Sequence, residues 1–204
     1  MFAAVVLLSH ALLVALGALT AAFGRIDAWG VEEATRRFEP ALAPGLLAAL
    51  GPRAPIFLAL GAFVLSAALL GDWRRAPRTF LATIMAVLLA TELWGVGTLL
   101  FERPGPLALD PGLPVPEDWR AAWQPGGSYP SRHALMVGAL AGSALLAWVW
   151  LGLPALVLAV CGAAAAVYFG AAHVSDVMAG LALGCLAAVC GRLGAGLVWS
   201  GRLR

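Results

Sequence analysis

The sequence predicts an all-α integral membrane protein, a bundle of six transmembrane helices in one domain, residues 1–204. Three observations carry the prediction. The 204 residues are 62% hydrophobic and 12% charged, with a mean hydropathy of +0.90; a soluble domain is roughly 45–50% apolar and about 25% charged. Six stretches approach the roughly 20 mostly apolar residues that a membrane helix needs: 2–23, 54–71, 79–101, 134–153, 155–172 and 177–199. Finally, Trp29, Trp73, Trp119, Trp123, Trp148, Trp150 and Trp199 fall near the ends of these stretches or between them, where an aromatic belt is expected.

The first span lacks a basic leader segment and is longer than the apolar core of a signal peptide, so it reads as a retained helix. His10, alone within it, reads as a packed residue. The following connection, 25–53, carries Glu32, Glu33, Arg36 and Arg37. Trp29, Val31, Ala34 and Phe38 would line one face of a short interfacial helix there; a solvated loop helix fits as well. Glu92 lies inside the third span. An acid at that depth is costly unless paired, and a structural pairing, with an Arg as candidate partner, is its expected role. The connection 102–132 holds seven of the thirteen prolines, and a loop of that length is more often functional than a simple turn. The fourth and fifth spans are expected to break at Pro154 into a tight hairpin. In the sixth, Gly180 and Gly184 form a small-xxx-small pair suited to close helix packing. Cys161, Cys185 and Cys190 lie in apolar spans, at a spacing that suits neither zinc nor a disulfide framework.

All thirteen basic residues are Arg, and the net charge is +2 with no basic block, so the charge gives no sign of nucleic acid and no nucleic-acid partner is expected. Arg74, Arg75 and Arg78 crowd the short second connection, and Arg202 and Arg204 close the chain. The positive-inside rule places these in the cytoplasm, with both termini. The connections 25–53 and 102–132 then face outward.

On that outer side the spans bring three polar segments to one end of the bundle. They are Arg103-Pro104 after the third span, Ser131-Arg132-His133 opening the fourth, and His173-Val174-Ser175-Asp176 between the fifth and sixth. Two imidazoles, two guanidinium groups and a carboxylate suit phosphoryl transfer. Arg forks bind phosphate oxygens and neutralise their charge. One His attacks phosphorus, a carboxylate orients it, and the other His protonates the leaving oxygen.

Together these segments resemble the signatures of the type 2 phosphatidic acid phosphatases, a membrane family related to the vanadium haloperoxidases. The signatures are Lys-x6-Arg-Pro after the third helix, Pro-Ser-Gly-His opening the fourth, and Ser-Arg-x5-His-x3-Asp between the fifth and sixth. Arg103-Pro104 matches the first, with Val96 at the Lys position. Pro130-Ser131-Arg132-His133 matches the second, with Arg132 in place of Gly. Tyr168-Phe169-Gly170 and Ser175-Asp176-Val177-Met178-Ala179-Gly180 match the surroundings of the third. There the Ser-Arg pair falls on Ala165-Ala166 and the nucleophilic His on Ala172, with His173 one residue later.

The resemblance implies the six-helix bundle of that family and a lipid phosphate or diphosphate as substrate. It implies hydrolysis through a phospho-histidine without metal or cofactor, in a bacterial inner membrane with the site facing the periplasm. It assigns His133, His173 and Asp176 to catalysis and Arg103, Ser131 and Arg132 to substrate binding. A one-residue slip rotates a helical side chain by about 100° and shifts it about 1.5 Å, so His173 aims differently from the family nucleophile. The substitutions also fit an alternative: a member that keeps the fold and binds lipid phosphate, or serves as a membrane subunit or scaffold, without turnover. Neither the particular lipid, nor protein partners, nor oligomeric state is encoded in these motifs.

Overall fold

In the computed structural model, the described residues are 2–36, 76–110 and 127–201. The expected second span, 54–71, lies outside them, as do Phe38, Arg120, Trp73, Trp119 and Trp123. Among the described residues every regular element is helical.

The first helix, α1 (Phe2–Leu19), is an unbroken apolar run whose Ser9 hydroxyl folds back onto the Val5 carbonyl at 2.9 Å. That bond satisfies a hydroxyl where no water competes. A 3-10 turn at Thr20–Phe23 then leads directly into α2 (Gly24–Arg36), so the connection after the first span begins as helix. Its inward side carries Asp27 and Gly30, while Trp29 is exposed. The charged run is partly paired within the helix, Arg36 donating to Glu33 at 2.6 Å.

The longest apolar helices are α3 (Ala76–Phe101) and α7 (Val174–Gly201). With α1 they are long and apolar enough to cross a membrane. A short turn of helix, α4 (Pro106–Leu109), follows α3. Between these lie α5 (Arg132–Ala147) and α6 (Val149–Tyr168). The hairpin between them breaks at Trp148, whose φ of −147° and ψ of 110° are extended, and not at Pro154, which sits inside α6. The chain reverses early because Gly152 lies against the Leu145 backbone, where a side chain has no room. Pro154 then falls just beyond the first turn of α6, where a missing N–H removes a single early helix bond.

Helix α7 is the centre of the bundle, packed on α5 and α3. In lipid, apolar burial drives helix association weakly, and close backbone approach takes its place. Gly180 and Gly184 supply it. A Cβ at Gly180 would lie 2.8 Å from the Ser131 carbonyl oxygen, and one at Gly184 would strike that of Leu135. Leu13, Leu93, Leu135, Leu183 and Tyr129 form the core between α1, α3, α5 and α7. The outer surface is apolar as well: Leu99 is 80% and Trp150 85% exposed, which suits a bilayer and not water. Glu92 meets His10 of α1 at 3.3 Å. The intramembrane acid therefore pairs with an imidazole rather than with the expected Arg.

Candidate functional site

The three polar segments meet at one end of the bundle, stitched by backbone bonds. Ser128 N–H donates to the Arg103 carbonyl at 2.6 Å, Ser131 N–H to that of Asp176 at 3.1 Å, and Leu107 N–H to that of Gly170 at 3.0 Å. Gly170 takes a left-handed φ of 66°, which glycine adopts without strain, and this turns the chain from α6 toward α7. Tyr129 is buried and anchors the approach to α5. Its hydroxyl donates to the Leu13 carbonyl at 2.5 Å, and its ring meets Phe101 edge-on at 4.9 Å. Burial first, and then the charge of Asp176, push its phenol pKa up, so it stays protonated and donating.

Arg103 is the hub. Its Nη1 donates to Asp176 Oδ1 at 2.5 Å and to Ser175 Oγ at 2.9 Å, and its Nη2 donates to Asp27 Oδ2 at 2.7 Å. Asp27 accepts in addition from the Ser175 N–H and the Ser175 hydroxyl, both at 2.8 Å. The second oxygen of Asp176 accepts from the Ser128 hydroxyl. Both carboxylates are buried, Asp176 completely. For Asp27, burial opposes ionisation, but the Ser175 N–H, the Arg103 guanidinium and the Ser175 hydroxyl together outweigh it and hold the carboxyl below the usual range.

His173 is buried at 8% exposure. Its Nε2 lies 3.2 Å from the Pro104 carbonyl oxygen. A carbonyl only accepts, so Nε2 carries the proton. In the neutral ring Nδ1 then holds a lone pair, and it is buried with no hydrogen-bond partner. The i, i+3 spacing of His173 and Asp176 thus leads to no hydrogen bond between them among the described residues. Each is held by the Arg103-Pro104 segment instead.

The other expected residues fall as follows. His133 sits half-buried in the first turn of α5. Ser131 is the N-cap of that helix, its Oγ accepting from Ala134 N–H at 3.4 Å. Arg132 is exposed, with its guanidinium 4.6 Å from the centre of the Trp94 ring, about two turns before α3 ends. It belongs to a separate contact and not to the Arg103 cluster. The substituted positions are packed: Val96 lies against the main core, and Ala166 and Ala172 form an apolar cluster with Ala134, Ala163 and Val177.

Sequence reasoning missed Asp27 and Ser128. Asp27 had one available signal, being the sole carboxylate directly after the first span, on the side of the bundle that holds Arg103. Among the described residues no three His, Cys, Asp or Glu side chains gather as a metal-binding set.

The helices and the order of the polar segments define an all-helical membrane protein with its polar segments gathered at one end of the bundle. A sequence model described as the PAP2 superfamily matches residues 79–194, and the chain belongs to that superfamily. No curated protein matches. Among solved structures, the chain is similar to a transmembrane PAP2-type phosphatidylglycerolphosphate phosphatase from Bacillus subtilis. The two share 20% identity and a TM-score of 0.63, over 90% of this chain and 93% of that one. At that identity the likeness establishes the fold.

Proposed function

We propose that this chain hydrolyses a phosphate or diphosphate carried by a lipid, with His173 as nucleophile and His133 as acid. The observation that carries this reading is the state of His173: its Nε2–H is fixed by the Pro104 carbonyl, and its buried Nδ1 is left as a lone pair. An imidazole held by one nitrogen and unengaged at the other is prepared for attack. In this chain the orienting partner is a backbone carbonyl in place of the carboxylate. Nδ1 forms the bond to phosphorus while the bond from phosphorus to the lipid oxygen breaks. His133 gives that oxygen a proton, then takes one from the water that cleaves the phospho-histidine. Arg103 and Asp176 hold the Arg103-Pro104 segment and the start of α7 in register.

The site faces the periplasm and both termini the cytoplasm of a bacterial inner membrane. Support comes from Arg78, in the first turn of the 26-residue α3, which stands about 35 Å along the helix from the Phe101 end that leads to Arg103. Arg74 and Arg75 precede it in sequence.

A second reading rests on a different observation. Arg103 is already matched by two carboxylates, and the positions of three family site residues, Ala165, Ala166 and Ala172, are packed alanines. A protein that binds lipid phosphate weakly or serves as a membrane subunit, without turnover, fits those facts. Phosphate release from phosphatidate and from a lipid diphosphate, in detergent micelles, separates the two. Under the catalytic reading the wild type turns over, and His173→Ala and His133→Ala each reduce the rate by about 10²-fold or more. An inert wild type supports the second reading, and full activity in His173→Ala removes that residue from the nucleophile's role.

A further inference from the structure

We propose that Asp27 is a built-in competitor at the anion site: its carboxylate occupies the cradle that the ligand's phosphate oxygens take, and a phosphate enters by displacing it. The proposal rests on the reading above that this site receives a phosphate group. Three donors converge on Asp27: Arg103 Nη2 at 2.7 Å, and the backbone N–H and the hydroxyl of Ser175, both at 2.8 Å. That N–H belongs to the second residue of the 28-residue α7, at the helix end where the backbone carries positive partial charge. A guanidinium, a hydroxyl and a helix-start N–H form a donor set suited to phosphate oxygens. Here a carboxylate of this chain sits in it.

The charge balance points the same way. Arg103 is one positive group between the carboxylates of Asp27 and Asp176, so counted formally the three side chains sum to one negative charge. A phosphate dianion therefore meets a closed and repelling site until Asp27 withdraws. Asp27 is also the member best able to withdraw. Arg103 and Asp176 are tied to the segments that build the site, whereas Asp27 arrives on α2, which touches the site region beside Gly30 at Val167 and Val174. The opposite side of α2 is exposed at Ile26 and Trp29. A ligand with a terminal, dianionic phosphate competes with this carboxylate better than a monoanionic phosphodiester does, so Asp27 also sets specificity.

The test is binding, independent of turnover. Inorganic phosphate and dimethyl phosphate are titrated calorimetrically into the full chain in detergent. Asp27→Asn keeps an oxygen that can accept from the Ser175 N–H, but it removes the charge from Arg103. It is expected to tighten phosphate binding by about tenfold or more, the scale of one charge-assisted hydrogen bond, and to gain more for phosphate than for the diester. Asp27→Ser, which shortens the side chain and removes its charge, is expected to move the same way. In the unaltered chain, saturating phosphate is expected to raise amide hydrogen exchange across Gly24–Arg36. Unchanged or weakened phosphate affinity in the variants, or no exchange response in the wild type, overturns the proposal. Tighter phosphate binding in the variants, beside a wild type that hydrolyses no ester, leaves the proposal standing and counts against the catalytic reading alone. Hydrolysis by the wild type with no affinity change in Asp27→Asn does the reverse.

Discussion

Around Arg103 the structure gathers two carboxylates and two hydroxyls, joined by bonds that cross between α2, the segment after α3, the approach to α5 and α7. Around Ala172, at the turn between α6 and α7, it gathers methyl groups: Ala134, Ala163, Ala166 and Val177. These are two parts of one candidate site, and each is packed by its own means. The charged part pairs its acids with Arg103; the apolar part has no charge to pair. The difference teaches how the loss of cations is accommodated. With Val96 and Ala166 where the family pattern carries Lys and Arg, the Arg103 cluster holds a single guanidinium among the described residues. That guanidinium serves two acids, one of them supplied from α2.

Removing it is expected to have the largest effect. Arg103→Ala leaves Asp27 and Asp176 buried without their cation, and breaking a buried pair in this way costs about 3–5 kcal/mol. Thermal unfolding in detergent measures it. A loss well below that range would mean that another cation or water reaches both carboxylates, and the charged part would not be self-contained. The apolar part responds less. Ala166 is 1% exposed, so Ala166→Leu forces extra atoms into a closed cluster, at about 1–3 kcal/mol. If the variant unfolds at the wild-type temperature, the cluster has an open space beside it, and the contrast between the two parts weakens.

Both parts were legible in the sequence to different depths. The membrane helices and the order of the polar segments were readable because apolar runs and motif spacing are local. The alanines were readable as substitutions, since each falls at a position with an expected side chain. What was not readable is where side chains aim. Asp27 lies 76 residues from Arg103 and 148 from Ser175, beside a charged run that drew attention to solvent. Arg132 stood next to the site in sequence, yet its guanidinium stacks on Trp94. Whether a long flexible stem turns toward a carboxylate or toward a ring depends on contacts made by other helices. The slip at His173 was visible, but its consequence was not: the ring meets the Pro104 carbonyl rather than Asp176.

The smallest expected effect isolates Asp27 from the rest of the charged part. Its carboxyl is held below the usual range, because the Ser175 N–H, Arg103 and the Ser175 hydroxyl outweigh the opposing effect of burial. A depressed native pKa means that, on acidification, the unfolded chain takes up this proton before the folded one does. The stabilisation from Asp27 is therefore fully present above the ordinary Asp value of about 3.9 and is lost as pH falls through the lower native value. The unfolding temperature of the wild type should accordingly drop below about pH 4 more than that of Asp27→Asn, while the two curves run parallel at neutral pH. A wild type that gains on the variant as pH falls would place the native pKa of Asp27 above the ordinary value. Arg103 would then be spending its charge on Asp176 alone, and α2 would hold an ordinary buried acid in place of a competitor for phosphate.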